Sequence, residues 1–211
     1  MRISVKEAIE RFRQGEVLIL VDDEDREDEG DFVIAAQHVT AERVSFLITH
    51  GRGIVCAPIS GDRASVLKLL PMCPEVADSD GARFTVSVDA RDGIRSGISA
   101  QDRARTLRLL ADEFTTSDQL TRPGHIFPLI ARDGGVLERP GHTEAAVDLA
   151  RLAGLSPAAV LCEILNEDGS VARGTQLDAV AARHGLGLLY IADLIAYRHQ
   201  GQIEQEAAAP D

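Results

Sequence analysis

Val17-Leu18-Ile19-Leu20-Val21, then Asp22-Asp23-Glu24-Asp25-Arg26-Glu27-Asp28-Glu29-Gly30-Asp31, then Phe32-Val33-Ile34-Ala35-Ala36: the reading of the chain turns on this stretch. The two flanking runs are short, apolar and rich in branched residues, the composition of buried strands. Between them, eight acids, one arginine and one glycine fill ten positions. A charge run is ordinarily a solvated face. Here it is bracketed by buried strands, so repelling charges are held against folded structure, at a cost in stability unless a cation offsets them. A divalent ion with oxygen ligands is the natural offset. The segment is not an EF-hand, because counting from Asp25 puts Gly30 correctly at the sixth position but Ala36 where a bidentate Glu is needed.

Outward from this stretch, strands and helices alternate. Ser4 with Glu7 forms a capping box for a helix to about Gln14, and Thr40 caps a helix through Thr49. Ile54–Ile59 reads as a strand, Pro71–Arg83 as a loop, and Phe84–Val88 as a strand. Ser99 with Asp102 opens a helix whose packed face carries Ala104, Leu107, Leu110, Ala111 and Phe114. Then follow a strand at Ile126–Ala131, a helix at Thr143–Ala153 closed by Gly154, and a strand at Ala159–Leu165. Thr175 caps a last amphipathic helix ending at Gly185, before a strand at Leu186–Ile191 and a short helix near Asp193–His199. The fold class is therefore α/β, layered, with functional loops at strand ends. One domain is expected over 1–200, with a disordered tail over 201–211.

Composition narrows the function. With 211 residues, 45% apolar and 27% charged, the chain can bury a sizeable core. A net charge of −12 argues against nucleic acid or an anionic membrane as partner. No segment reads as a signal peptide or membrane span, so a cytoplasmic location is expected. Cys56, Cys73 and Cys162 lack zinc or disulfide spacing and read as reduced thiols. Phosphate-loop, zinc-protease, nucleophile-elbow and dinucleotide fingerprints are all missing.

Several residues outside the acidic run could carry chemistry. Arg139-Pro140-Gly141-His142-Thr143 leads into a helix, so free N–H groups, the helix dipole, Arg139 and the Thr143 hydroxyl could converge on a phosphate, or Thr143 could simply cap an ordinary turn. An acidic protein taking an anionic substrate needs such a local basic pocket. His125 and His142 each follow Pro-Gly and could be metal ligands or proton carriers, or plain surface residues. Glu163 sits inside an apolar run, where it could be a buried acid or base with a raised pKa, or the polar face of an alternating strand.

Taken together, the acidic run, His50-Gly51-Arg52-Gly53-Ile54-Val55-Cys56, Phe84 to Asp89, Gly97 to Ala100 with Asp102-Arg103, Arg122 to His125 with Phe127-Pro128-Leu129, Gly134 to Leu137, Arg139 to Ala145, and Cys162-Glu163 resemble the 3,4-dihydroxy-2-butanone 4-phosphate synthase family of riboflavin biosynthesis, over about residues 5 to 198. Fused relatives carry a GTP cyclohydrolase II domain, and this chain resembles the stand-alone form. The resemblance implies a mixed sheet with helices on its faces. It implies a homodimer with its active site near the interface, and a lyase that takes D-ribulose 5-phosphate, excises C4 as formate and leaves the four-carbon ketone phosphate. The expected cofactors are Mg2+ or Mn2+, two per site, with Glu27 and His142 as ligands. Arg26, Glu27, Asp31, Arg139, Pro140, Gly141, His142, Thr143 and Glu163 would contact substrate, and His125, Glu163 and Asp31 would be catalytic. Removal of the C3 proton needs a base and the resulting enediolate needs cations on its oxygens. Loss of water from C1, joining of C3 to C5 and departure of C4 complete the sequence. Val76-Ala77 and Ala82-Arg83 depart from the family's usual Asn-Thr and Thr-Ala, which leaves a relative with altered substrate or product as the alternative reading.

Overall fold

The computed structural model describes residues 1–23, 25–73 and 81–208. Val76 and Ala77, like Glu24, lie outside the described residues. In chain order the elements are α1 (Val5–Arg13), β1 (Leu18–Val21), β2 (Gly30–Ala35), α2 (Ala41–His50), β3 (Cys56–Ile59), α3 (Gly61–Val66), β4 (Val88–Ala90), α4 (Ala100–Ala111), β5 (Leu120–Ile130), α5 (His142–Leu152), β6 (Ala159–Glu163), α6 (Thr175–His184), β7 (Leu188–Tyr190) and α7 (Ile191–Ala208). The strands form one mixed sheet in the order β4-β5-β3-β6-β2-β1-β7. β1 and β2 are antiparallel neighbours, so the acidic segment is the connection of a hairpin.

Each central strand is buried on both faces, and alternation sorts its side chains between two cores. Ile19, Val21, Phe32, Ile34, Val160 and Cys162 pack with α2, α4 and α6 on one side. Leu18, Leu20, Val33, Ala35, Ala159 and Leu161 pack with α1, α5 and α7 on the other. α5 is buried from His142 to Ala150. Ala145, Ala146 and Ala150 let it lie close to the sheet, because small side chains allow near approach without a void. Among the described residues, no helix is long and apolar enough to cross a membrane.

The caps at Ser4, Thr40 and Ser99 form as expected, each oxygen accepting the N–H three residues on. Other boundaries differ. Gly141, not Thr143, stands at the N-cap of α5, and Gly174, not Thr175, at that of α6. α4 stops at Ala111 and leaves Phe114 82% exposed, because Asp112 turns extended and its carboxylate takes the Phe114 N–H. The strand placed at Phe84–Val88 is instead Val88–Ala90, with Phe84 and Thr85 making only isolated bridges. α3, capped by Ser60, is too short to show periodicity and escapes a sequence reading. The last helix runs through Gly201 to Ala208, into the segment expected to be disordered, since one glycine costs a helix only about 1 kcal/mol and Gln, Glu and Ala favour it. Residues 209–211 lie outside the described ones.

The seat of α5 yields a first prediction. Ala146→Leu forces extra volume between helix and sheet and should lower unfolding free energy by about 1–3 kcal/mol, read by urea titration.

Candidate active site

Antiparallel pairing of β2 with β6 puts Asp31 opposite Glu163. Directly opposed residues share a face, with Cβ atoms about 4.5–5.5 Å apart. That face is the one carrying Val33 and Leu161. Asp31 is buried, which is the chief reason its carboxyl is pushed up to about 6; His142 opposes the shift, and Glu163, Glu29 and Asp22 add to it. An acid titrating there can both take and return a proton near neutral pH.

Glu163 is held by the turn between α2 and β3. Its Oε2 accepts the Ile54 N–H at 2.8 Å. A Cβ on Gly53 would lie 2.8 Å from the Glu163 Cβ, and one on Gly51 would lie 2.8 Å from the Cys162 Sγ. The two glycines therefore let this turn press directly on the end of β6. Cys162 donates its thiol to the Leu47 and Gly53 carbonyls at 3.5 Å. Burial, with Glu163 and Asp31 nearby, pushes the Cys56 thiol up and that of Cys162 up to about 12, so both are packed thiols, as their sequence setting suggests.

The acidic connection is partly neutralised from within. The fully buried Asp22 side chain accepts the Glu29 N–H at 2.8 Å through Oδ1 and Arg26 Nη1 at 2.5 Å through Oδ2. The same Arg26 nitrogen donates to Glu27 at 2.8 Å, and Arg173 bridges to Glu29 at 2.9 Å. Burial, followed by Glu27, still leaves the Glu29 carboxyl above its ordinary value. Ligand atoms of Asp22, Glu27 and His142 lie within 4.8 Å of one another. His142 is buried, and its Nε2 has no hydrogen-bond partner. An orphaned imidazole nitrogen beside two carboxylates is a donor set that fits a divalent cation of the Mg2+ or Mn2+ kind. Asp22 was indistinguishable in sequence among eight acids; its position directly after β1, which turns it inward, is what sets it apart.

His142, Thr143 and Glu144 form the first turn of α5, whose N–H groups lack helical partners. Glu144 holds the preceding loop in place, accepting the Arg132 N–H at 3.1 Å and Arg139 Nη1 at 2.7 Å. A Cβ on Gly141 would meet the Arg139 guanidinium and Glu144, so glycine is what lets the arginine fold across the helix end.

These groups converge on one cavity of about 380 Å³, lined among others by Arg26, Glu27, Asp31, Arg139, His142, Thr143 and Glu163. Ala82, from the departing loop, is also on its wall. Pro140 faces a neighbouring hollow with Ile191 and Ile195, and Gly141 serves as the helix cap. His125 does not line the cavity. It stands on β5, in the same alternation as Phe127 and Leu129, with 41% of its side chain exposed and Nδ1 2.7 Å from Asp89.

Residues 6–197 match the family described as 3,4-dihydroxy-2-butanone 4-phosphate synthase. The chain belongs to that family. It is 54% identical over 195 residues to the riboflavin biosynthesis protein RibBA of Bacillus velezensis, covering 92% of this chain and 49% of that protein. It is 51% identical over 210 residues to RibBA of Mycobacterium tuberculosis, covering 98% and 49%. The chain thus spans about half the length of these curated relatives. A solved 3,4-dihydroxy-2-butanone 4-phosphate synthase in complex with two magnesium ions superposes with a TM-score of 0.90 at 40% identity, over 95% of this chain and 98% of that one. The mixed sheet with helices on both faces is the synthase fold.

Asp31 provides a test of the site's electrostatics. Its carboxyl titrates near 6 in the folded chain against an ordinary value of 3.8, so the folded state holds an extra proton between those values and loses stability as pH rises through them. With chelator present, Asp31→Asn should therefore raise stability at pH 7.5 by roughly 1–3 kcal/mol, and the gain should vanish near pH 4. Thermal melts of both proteins across this range check it.

Proposed function

We propose that the chain converts D-ribulose 5-phosphate to 3,4-dihydroxy-2-butanone 4-phosphate and formate in riboflavin biosynthesis, as a carbon–carbon lyase. The observation that carries this reading is the facing pair Asp31 and Glu163, set in one cavity with the Glu27–His142 donor set and an arginine at a helix N-terminus. Mg2+ or Mn2+, two ions per site with Glu27 and His142 as ligands and Asp22 beside them, supplies Lewis-acid stabilisation of substrate oxygens.

The chain's own groups divide the remaining work. Arg139, the Thr143 hydroxyl and the free N–H groups of the first turn of α5 seat the phosphate, the helix dipole adding to their pull. Pro140 and Gly141 shape that loop. Arg26 has two acids for partners and contributes its remaining donors to substrate hydroxyls. Asp31 and Glu163 carry protons: one is taken from C3, water leaves C1, C3 joins C5, and C4 departs as formate after water returns. Asp31 suits these exchanges because it titrates near neutrality. With Oε2 tied to Ile54, Glu163 has Oε1 to offer. His125 acts with them, and its exposure outside the cavity supports a homodimer with the active site near its interface. Ile54, on the cavity wall and 52% exposed, gives that rim an apolar surface to cover. A phosphorylated substrate, too polar to diffuse across a membrane, supports a cytoplasmic setting. The names of the relatives favour this reaction over an altered product.

The decisive experiment is NMR with 13C-labelled ribulose 5-phosphate. Labelled formate should appear with Mg2+ or Mn2+ and stop on chelation; consumption of substrate without formate, or no turnover with either ion, rejects the reading. In calorimetry, Glu27→Gln and His142→Ala should each weaken Mg2+ binding by about tenfold or more. Unchanged affinity removes that residue from the ion's surroundings.

A further inference from the structure

We propose that Asp89 is the positioning residue of His125: it fixes the hydrogen of the neutral ring on Nδ1 and leaves Nε2 as a free acceptor. The geometry arises from a break in the ladder between β4 and β5. Val88 pairs with Ile126 but Asp89 pairs with Thr121, so Arg122-Pro123-Gly124-His125 is extra chain pushed out of register. Such an insertion deprives backbone N–H groups of their ladder partners. Two side chains at β4 replace them: Ser87, just before the strand, accepts the Gly124 N–H through Oγ at 3.1 Å, and Asp89 Oδ1, within it, accepts the His125 N–H at 3.0 Å.

Asp89 then has one oxygen left, and it lies 2.7 Å from His125 Nδ1. A carboxylate only accepts, so the imidazole nitrogen must donate. The carboxylate is 8% exposed against 41% for the ring, so the anchor is interior and the ring is presented outward. A lid of backbone closes the pair. Gly97 sits at φ +88, where a Cβ would lie 2.6 Å from His125 Nδ1 and also strike the Asp89 carboxylate. Gly97 is itself tied down by Asp102, which accepts the N–H groups of Arg95, Ser96 and Gly97 at 3.3, 3.1 and 3.0 Å. Burial alone would push the Asp102 carboxyl up, but those donors outweigh it and hold it below its ordinary value. The segments Arg122–His125 and Gly97–Asp102, separate in sequence, thus form one device for aiming an imidazole.

This proposal rests on the lyase reading only for what His125 does once aimed, and its test separates the two. Long-range proton–nitrogen NMR correlations of 15N-histidine-labelled protein, above the ring's pKa, report which nitrogen carries hydrogen. In the native protein the Nδ1–H form is expected. Asp89→Asn keeps the shape but can turn an amide N–H toward Nδ1, which should move the hydrogen to Nε2 and lower kcat by about a hundredfold or more, with KM within twofold. Ser87→Ala removes a hydrogen bond from the same bulge and should leave the tautomer as it was. A native Nε2–H ring, or an Asn variant with unchanged tautomer and kcat, overturns the assignment. Should Asp89→Asn not fold, the native spectrum alone decides. Absence of formate in the native enzyme condemns the lyase reading, while the tautomer still decides the role of Asp89.

Discussion

Two acids face each other across the β2–β6 ladder, and neither can withdraw, because both backbones are locked by strand pairing in the middle of the sheet. Like charges directly opposed on a sheet destabilise it, and burial deepens the cost. The rest of the molecule can be understood as the arrangement that tolerates this pair. The α2–β3 turn gives Glu163 a backbone donor, α5 brings His142 up against Asp31, and two apolar cores, one on each face, hold the strands in register. The register is strongly specified, since a slip of one residue would exchange the contents of the two cores.

The same tension extends into the β1–β2 connection. Arg26 and Arg173 bind several of its acids but leave Glu27 and Asp22 within reach of an orphaned imidazole nitrogen. The protein therefore concentrates unfavourable electrostatics where a bound cation would relieve it. Stability given up to such repulsion would reappear as affinity for the cation, the usual relation between a strained site and its ligand.

Much of this was legible in the residues. The strand–acid–strand stretch, the three serine and threonine caps, and the alternation of branched apolar runs are local signals, and local signals survived folding. The juxtaposition of Asp31 with Glu163 was not legible bottom-up, because it depends on the pairing of strands 132 residues apart, which periodicity cannot choose. Asp22 was hidden by its neighbours' likeness, and Asp89 by standing in the wrong register: the strand read at Phe84–Val88 ends one residue before it. Gly51 and Gly53 are required by the distant end of β6, at Cys162 and Glu163, which local sequence does not reveal, whereas Gly141 is required by Arg139 and Glu144 close by in the chain. The helical run to Ala208 reflects the intrinsic helical preference of Gln, Glu and Ala, which a reading based on terminal position does not weigh.

The burial of α5 along most of its length has a consequence for motion. Amides of a helix enclosed between a sheet and two further helices open only when the domain as a whole does, whereas a hairpin connection can open alone. The hydrogen-bonded middle of α5 thus belongs to the slowest-exchanging part of the protein, and the acidic connection to the fast-exchanging part. A ligand seated beside α5 would meet a helix already in its final form, and the adjustment would fall to the β1–β2 segment, whose ends are pinned one strand spacing apart.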